Sequence, residues 1–176
     1  MDVMKAIADR KSIRAYQDAP VSKEQLMKVL EAVRLAPSWK DKQCWSVIVV
    51  EGRDRIKQLG ELLRFNPGES VFETVPYFLV FVADPEKSGD REGKSYYMTD
   101  IGICMQNAVL AAWEQGLGTC WVGAFKEEPI KEFLGVPENL RVVAMTPLGV
   151  AAEAPEMRPR MELNEFVYSN QFGQTF

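Results

Sequence analysis

The chain contains no histidine. That absence excludes Ser-His-Asp and Cys-His nucleophilic mechanisms in their usual form, together with most metal sites, because these depend on imidazole. Proton transfer is left to Asp, Glu, Lys, Tyr, Cys or a bound molecule. Difficult chemistry on such a chain points to a cofactor. Cysteine is scarce: Cys44, Cys104 and Cys120 are far apart and form no CxxC pair. Neither a zinc site nor a disulfide framework is expected, and each thiol reads as a small buried apolar group in a cytoplasmic protein. There is no GxGxxG fingerprint, no Walker A loop and no EF-hand. Long apolar runs are also missing. The richest piece, IGICMQNAVLAAWEQG, carries Gln106, Asn107 and Glu114, which suits a buried helix and not a membrane span. The opening MDVMKAIADRKSIR has an early acid and no apolar stretch, unlike a secretory signal. A net charge of -4 lacks the positive surface that nucleic acid requires. Neither nucleic acid nor a membrane is an expected partner.

What is present reads as one globular domain over 1–176. The 176 residues can bury a sizeable core, and apolar and charged fractions of 47% and 26% are ordinary for a soluble fold. A helix is predicted over Asp2–Asp9, with Val3, Met4 and Ile7 as its apolar stripe. Ser22 and Gln25 have the spacing of a capping box, so a second helix should start at Ser22, bury Leu26, Val29, Leu30 and Val33, and stop at Pro37. SVIVVEG and YFLVFVAD read as strands, the latter apolar throughout and so covered on both faces. RDRIKQLGELLRF is a helix with Ile56, Leu59 and Leu63 inward. NPGESVFETVP reads as an exposed, mobile loop. The longest helix should span about Ser95–Gln115, ended by Gly116. KEEPIKEFLG gives a short helix and NLRVVAMTPLGVA another strand. The tail from about 155 to 176 holds Phe166, Val167, Tyr168 and Phe172 but no core-like run, so it should pack on something else, such as a partner subunit. These elements suggest a sheet between helical layers without regular doubly wound connectivity.

Four stretches could carry chemistry. In RKSIRAY, an extended backbone would put Arg10, Ser12 and Arg14 on one side and Ile13 on the other. Two guanidinium forks and a hydroxyl suit a phosphate, although they equally suit surface salt bridges with some of the 25 acidic residues. Arg158 and Arg160 repeat the alternation in MRPR, and the two clusters could close on one anion. In APSWKDKQCW, Ser38, Asp41 and Gln43 could hydrogen-bond a heteroaromatic ring while an indole shields it. In GLGTCWVGAF, glycines could let backbone N–H groups approach a flat ligand. Each stretch has a bland structural reading as well.

Their order and spacing resemble the nitroreductase family of FMN-dependent oxidoreductases. RKSIRAY looks like that family's RRSxRxF segment, APSWKDKQCW its APSxxNxQPW loop, GLGTCWVGAF its GLGxCWxGxF segment, and EMRPRMELNEFVYSNQF its C-terminal segment. The resemblance covers nearly the whole chain. It implies an α+β fold with three α/β/α layers, built on a mixed, mainly antiparallel sheet. It also implies an intertwined homodimer with exchanged C-terminal tails and two FMN molecules at the interface. Carried over residue by residue, Arg10, Ser12 and Arg14 hold the FMN phosphate and ribityl chain, Lys11 lies within that motif, and Arg160 is the C-terminal phosphate ligand. Pro37, Ser38 and Trp39 line the flavin from the other subunit. Asp41 and Gln43 supply polar contacts, and Val122 and Gly123 are backbone positions beside the ring. The implied activity is ping-pong: NADH or NADPH passes a hydride to flavin N5 and leaves, and a small-molecule acceptor such as a nitroaromatic or quinone is then reduced. No side chain is a dedicated catalytic acid. Guesses for the acceptor pocket are NPGESVFETVP and the region of Tyr96 and Tyr97. Alternatives on the same fold are a dehalogenase, a flavin reductase, a flavin-degrading enzyme or a non-catalytic flavin-binding dimer. Two departures stand out. Asp41 replaces an asparagine, and its carboxylate can only accept hydrogen bonds. Cys44 replaces a proline, which predicts a looser turn.

Overall fold

In the computed structural model, which describes residues 2–176, four strands form one sheet in the order β1 (Trp45–Glu51), β2 (Tyr77–Ala83), β6 (Arg141–Val150) and β5 (Leu117–Thr119), every pair antiparallel. A separate two-residue hairpin pairs β3 (Asp90–Arg91) with β4 (Lys94–Ser95). β2 shows why the sheet is covered twice. Its alternation sends Phe78, Val80 and Val82 to one face and Leu79, Phe81 and Ala83 to the other, and all six are buried. The first set packs with Ile56 and Leu59 of α3 (Arg53–Leu62) and Ile130 of α7 (Glu127–Leu134). The second packs with Val29 and Val33 of α2 (Lys23–Arg34) and Ile101, Met105 and Ala108 of α6 (Tyr97–Glu114). This is the expected three-layer α+β arrangement, with an antiparallel sheet buried on both faces.

Local signals account for most boundaries. Ser22 and Gln25 form the reciprocal capping box, with Gln25 N–H donating to Ser22 Oγ at 3.2 Å and Ser22 N–H to Gln25 Oε1 at 3.0 Å. Leu26, Val29 and Val33 are buried and Leu30 is half-buried. Gly116, just past α6, has φ +75°, a conformation that costs a residue with a Cβ. The exposed ion pairs Lys5–Asp9 (2.6 Å), Arg34–Glu31 (2.6 Å) and Arg53–Asp18 (2.8 Å) contribute little each, about 0–1 kcal/mol. Stability rests on the two cores.

One expectation fails. NPGESVFETVP is not an exposed loop throughout: Val71–Thr74 closes a helical turn, α4, and Val71, Phe72 and Val75 are buried. The apolar spacing aims these side chains at the core, where Phe72 stacks on Phe78 with centroids 5.3 Å apart. The stripe on α1 (Val3–Asp9) is not buried in this chain. Val3, Met4 and Ile7 are 67%, 68% and 49% exposed, and α1 buries only Ala6. The pattern correctly marks a helix but faces away from the chain's own core. The remaining short helices are α5 (Pro85–Ser88) and α8 (Leu163–Phe166). Among the described residues, no helix is long and apolar enough to cross a membrane.

RKSIRAY is stitched onto the sheet at the β5–β6 end. Ile13 N–H donates to the Thr119 carbonyl at 2.9 Å, giving an isolated parallel bridge between Ser12 and Thr119, and Gln17 N–H donates to the Val150 carbonyl at 2.9 Å. Tyr16 folds back so that its hydroxyl donates to the Ile13 carbonyl at 2.7 Å. Ile13 is 1% exposed and lies against Gly118, where a Cβ would sit 2.9 Å from both Ile13 Cβ and Cγ1. No flexible tip can yield there, so Gly118→Ala overpacks the junction. The expected result is a loss of about 1–3 kcal/mol in chemical denaturation. An unchanged denaturation midpoint would show that the segment can shift at no cost.

Candidate functional site

The extended backbone from Arg10 to Arg14 turns Ile13 inward and presents its polar residues to a recess of about 190 Å³. Arg10, Lys11, Ser12 and Arg14 line one side. The tail segment 155–160, with Arg158 and Arg160, lines the other. The cation clusters from opposite ends of the chain therefore close on one space. What joins them is Glu153, whose carboxylate accepts the backbone N–H of Arg14 and, at 3.2 Å, that of Ala15, while Ala152 N–H donates to the Ala15 carbonyl at 2.9 Å. Glu153 fixes the start of the tail beside the N-terminal strip, and no spacing rule in the sequence pointed to it.

The surface-salt-bridge reading of these arginines does not hold. Among the described residues, none of Arg10, Lys11, Arg14, Arg158 and Arg160 has a carboxylate within ion-pair distance. One Arg160 nitrogen instead donates to the Arg158 carbonyl at 3.0 Å, which shapes the tail. Glu156 is the one acid on the rim. Five cations converging on one recess favour a multiply charged anion. Their field reaches the wall beneath. Burial pushes the Cys120 thiol above its ordinary range, while Arg14, the Ser12 hydroxyl and Arg10 pull it the other way. Burial, with the nearby Cys120 and Glu153, also raises Tyr16 and keeps it a neutral phenol.

The loop 37–43 does not line this recess in the same chain. Its backbone is unusual: Lys40, Asp41 and Gln43 take φ of 50°, 53° and 47°, a left-handed conformation that costs a side-chain-bearing residue and clusters at functional sites. Asp41 accepts from Gln43 Nε2 at 2.9 Å, and Gln43 N–H donates to Ser38 Oγ at 2.8 Å. The acceptor-only carboxylate thus has a donor within its own loop. Trp39 is committed as well: its ring stacks on Tyr96 at 4.6 Å and 4°, and covers Gly89, where a Cβ would lie 3.1 Å from the indole. The turn at Cys44 is tied through its side chain. Cys44 is 3% exposed and its thiol points to Asp100 Oδ2 at 3.4 Å. Burial first, and then Asp100, push that thiol up to about 11, so it remains a neutral donor.

Val122 and Gly123 part company. Val122 is 1% exposed, and its N–H and C=O are both taken by Met145, at 2.8 and 3.0 Å. Gly123 is exposed and nothing lies within 4 Å of the place its Cβ would take, so its backbone is open to a ligand. Gly123 lines a second recess of about 190 Å³ with Tyr97, Met98, Phe125 and the bidentate pair Arg141–Glu127 (2.8 Å). Tyr97 lines this recess, while Tyr96 stacks on Trp39. Asn66 Nδ2 donates to the Ala124 carbonyl at 3.1 Å, bringing NPGE near this recess.

The antiparallel sheet between two helical layers is shared with solved structures of the nitroreductase fold, an oxidoreductase architecture. A crystal structure of a nitroreductase family protein from Clostridium novyi NT matches all of this chain and 98% of its own, with TM-score 0.82 and 36% identity. An FMN-dependent nitroreductase from Clostridium difficile R20291 matches 96% of this chain and 99% of its own, with TM-score 0.83 and 28% identity. The chain belongs to the nitroreductase family, whose model matches residues 7–65 and 66–150. Among relatives, a Bacillus subtilis protein named FMN reductase (NAD(P)H) is 32% identical over 177 residues, spanning 91% of this chain and 70% of its own. The chain is an oxidoreductase of this family.

Proposed function

We propose that this chain is an FMN-dependent enzyme that uses NADH or NADPH to reduce a small-molecule acceptor, such as a nitroaromatic or a quinone. One observation carries the reading: five cations from the two ends of the chain, none ion-paired among the described residues, converge on one recess beside the Ser12 hydroxyl. That donor set fits a phosphate monoester. Bound FMN would supply the electron chemistry, taking a hydride from the nicotinamide and passing the electrons on in a ping-pong sequence.

The residues have distinct tasks in this reading. Arg10, Arg14 and Arg160 present planar forks to the phosphate, Lys11 and Arg158 add charge, and Ser12 donates one more hydrogen bond. Gly123 offers an open backbone to the ring, while Val122 anchors that backbone to Met145. Pro37, Ser38, Trp39, Asp41 and Gln43 act on the cofactor held mainly by the partner subunit of a homodimer, in keeping with their absence from the cradle of their own chain. The domain would be the whole of 1–176, with the tail from about 155 first lining its own chain's cradle through Arg160 and then crossing to the partner. Three free, buried cysteines suit a reducing, cytoplasmic setting.

A second reading has its own support. The relative named FMN reductase, at 32% identity, favours free flavin as the acceptor. The purified protein is expected to be yellow and to release FMN, identified chromatographically, on denaturation. A colourless protein that cannot take up added FMN would sink both readings. Turnover with free flavin, quinones and nitroaromatics, each with NADH and NADPH, then separates them.

A further inference from the structure

The one buried acid among the described residues does not touch the cradle. Asp100 lies in the first turn of α6, is 1% exposed, and accepts from three donors on two other segments. Its Oδ1 takes the Trp39 N–H at 2.8 Å. Its Oδ2 takes the Ser88 hydroxyl at 2.9 Å and the Cys44 thiol at 3.4 Å. Trp39 and Cys44 are the two ends of the left-handed stretch that contains Lys40, Asp41 and Gln43, so one carboxylate closes that loop across its base. Accessory contacts run the same way. Asp100 N–H donates to the Tyr96 carbonyl at 2.9 Å, Tyr96 carries the Trp39 ring, and Lys87 Nζ donates to the Gln43 carbonyl at 2.9 Å.

A loop with three side-chain-bearing residues at positive φ keeps its shape only if its surroundings over-determine it. Within the loop, the Gln43 side chain to Asp41, the Gln43 N–H to Ser38, two backbone turns and Lys40 Nζ over the Trp39 ring at 4.5 Å are the contacts that hold it. We propose that Asp100 is a positioning residue that sets the backbone of the 37–43 loop for contact with the flavin, an inference that rests on the FMN reading above. It does not reach the ligand; it fixes the amide of Trp39 and the turn at Cys44 so that Ser38, Asp41 and Gln43 face it together. Asparagine can preserve most of this, since its carbonyl still accepts from Trp39 and its amide can donate to Ser88. Alanine removes both acceptor oxygens, with the three hydrogen bonds they take, and leaves the Trp39 N–H and the Ser88 hydroxyl without a partner.

The test measures FMN affinity by fluorescence titration, the visible flavin spectrum and the midpoint potential for the parent protein, Asp100→Asn, Asp100→Ala and Ser88→Ala. If the parent binds no FMN, the functional reading itself has failed. If it binds, Asp100→Ala is expected to weaken affinity at least tenfold and to shift the flavin band and potential, with Asp100→Asn restoring both to near parent values. An Asp100→Ala protein with parent affinity, spectrum and potential overturns the proposal. Should that variant not fold, Ser88→Ala decides. An altered flavin spectrum in Ser88→Ala, in a protein with native circular dichroism, supports the positioning role, and a parent spectrum overturns it.

Discussion

Arg14→Ala is expected to bind FMN about 10- to 150-fold more weakly than the parent protein, equivalent to about 1.5–3 kcal/mol for one charge-assisted contact. The side chain is exposed on the cradle and has no carboxylate partner among the described residues, so its removal frees no buried acid. Its backbone is held independently, because Glu153 accepts the Arg14 and Ala15 N–H groups whatever the side chain. Global stability should therefore stay within about 0.5 kcal/mol of the parent. Arg14→Lys should fall between, since it keeps the charge and loses the fork. Raising the salt concentration should weaken the parent more than Arg14→Ala, because the variant has one fewer exposed cation to screen. Equilibrium titration of the apo-proteins with FMN at two ionic strengths measures all of this. Equal affinities for parent and Arg14→Ala would remove the phosphate from the cradle.

How legible this site was depends on the range of the interactions that build it. The strip from Arg10 to Arg14 was readable because a two-residue period and a buried Ile13 are properties of five adjacent residues. The capping box at Ser22 and the two-faced burial of β2 were readable for the same reason. Closure of Arg158 and Arg160 onto that strip was not, since it depends on Glu153 reaching two backbone N–H groups far away in sequence. Asp100 announced itself only as one acid at the start of an apolar helix. Its importance lies in bonds to residues 39, 44 and 88, which no local pattern encodes. The tie at Cys44 was out of reach by a related route: backbone propensity carries no information about a thiol bonded to that buried acid. NPGESVFETVP failed because Gly and Pro at its start were given more weight than the apolar spacing of Val71, Phe72 and Val75.

On the proposed reading as an FMN-binding homodimer, deleting residues 156–176 is expected to convert the dimer into a monomer and to abolish FMN retention, while the truncated chain still folds. The last point follows from the cores: neither hydrophobic cluster contains a residue beyond Ala151. Far-ultraviolet circular dichroism should change little. Loss of the dimer follows from the surfaces. Leu163, Phe166, Phe172 and Phe176 are 71%, 53%, 93% and 87% exposed in a single chain, and the α1 stripe of Val3, Met4 and Ile7 is also uncovered. Apolar area left in water forgoes about 25 cal/mol per Å², so several aromatic side chains in this state favour a partner surface strongly. Loss of FMN has two separable causes, the missing Arg158 and Arg160 and the missing second subunit. Arg160→Ala in the full chain distinguishes them: it should remain dimeric by light scattering and lose affinity by an amount comparable to Arg14→Ala. The truncation should instead lose the dimer and retain no FMN through gel filtration, because the partner's 37–43 loop is lost along with the tail cations. A truncated protein that elutes as a dimer and keeps its flavin would mean that the tail neither bridges the subunits nor helps to hold the phosphate.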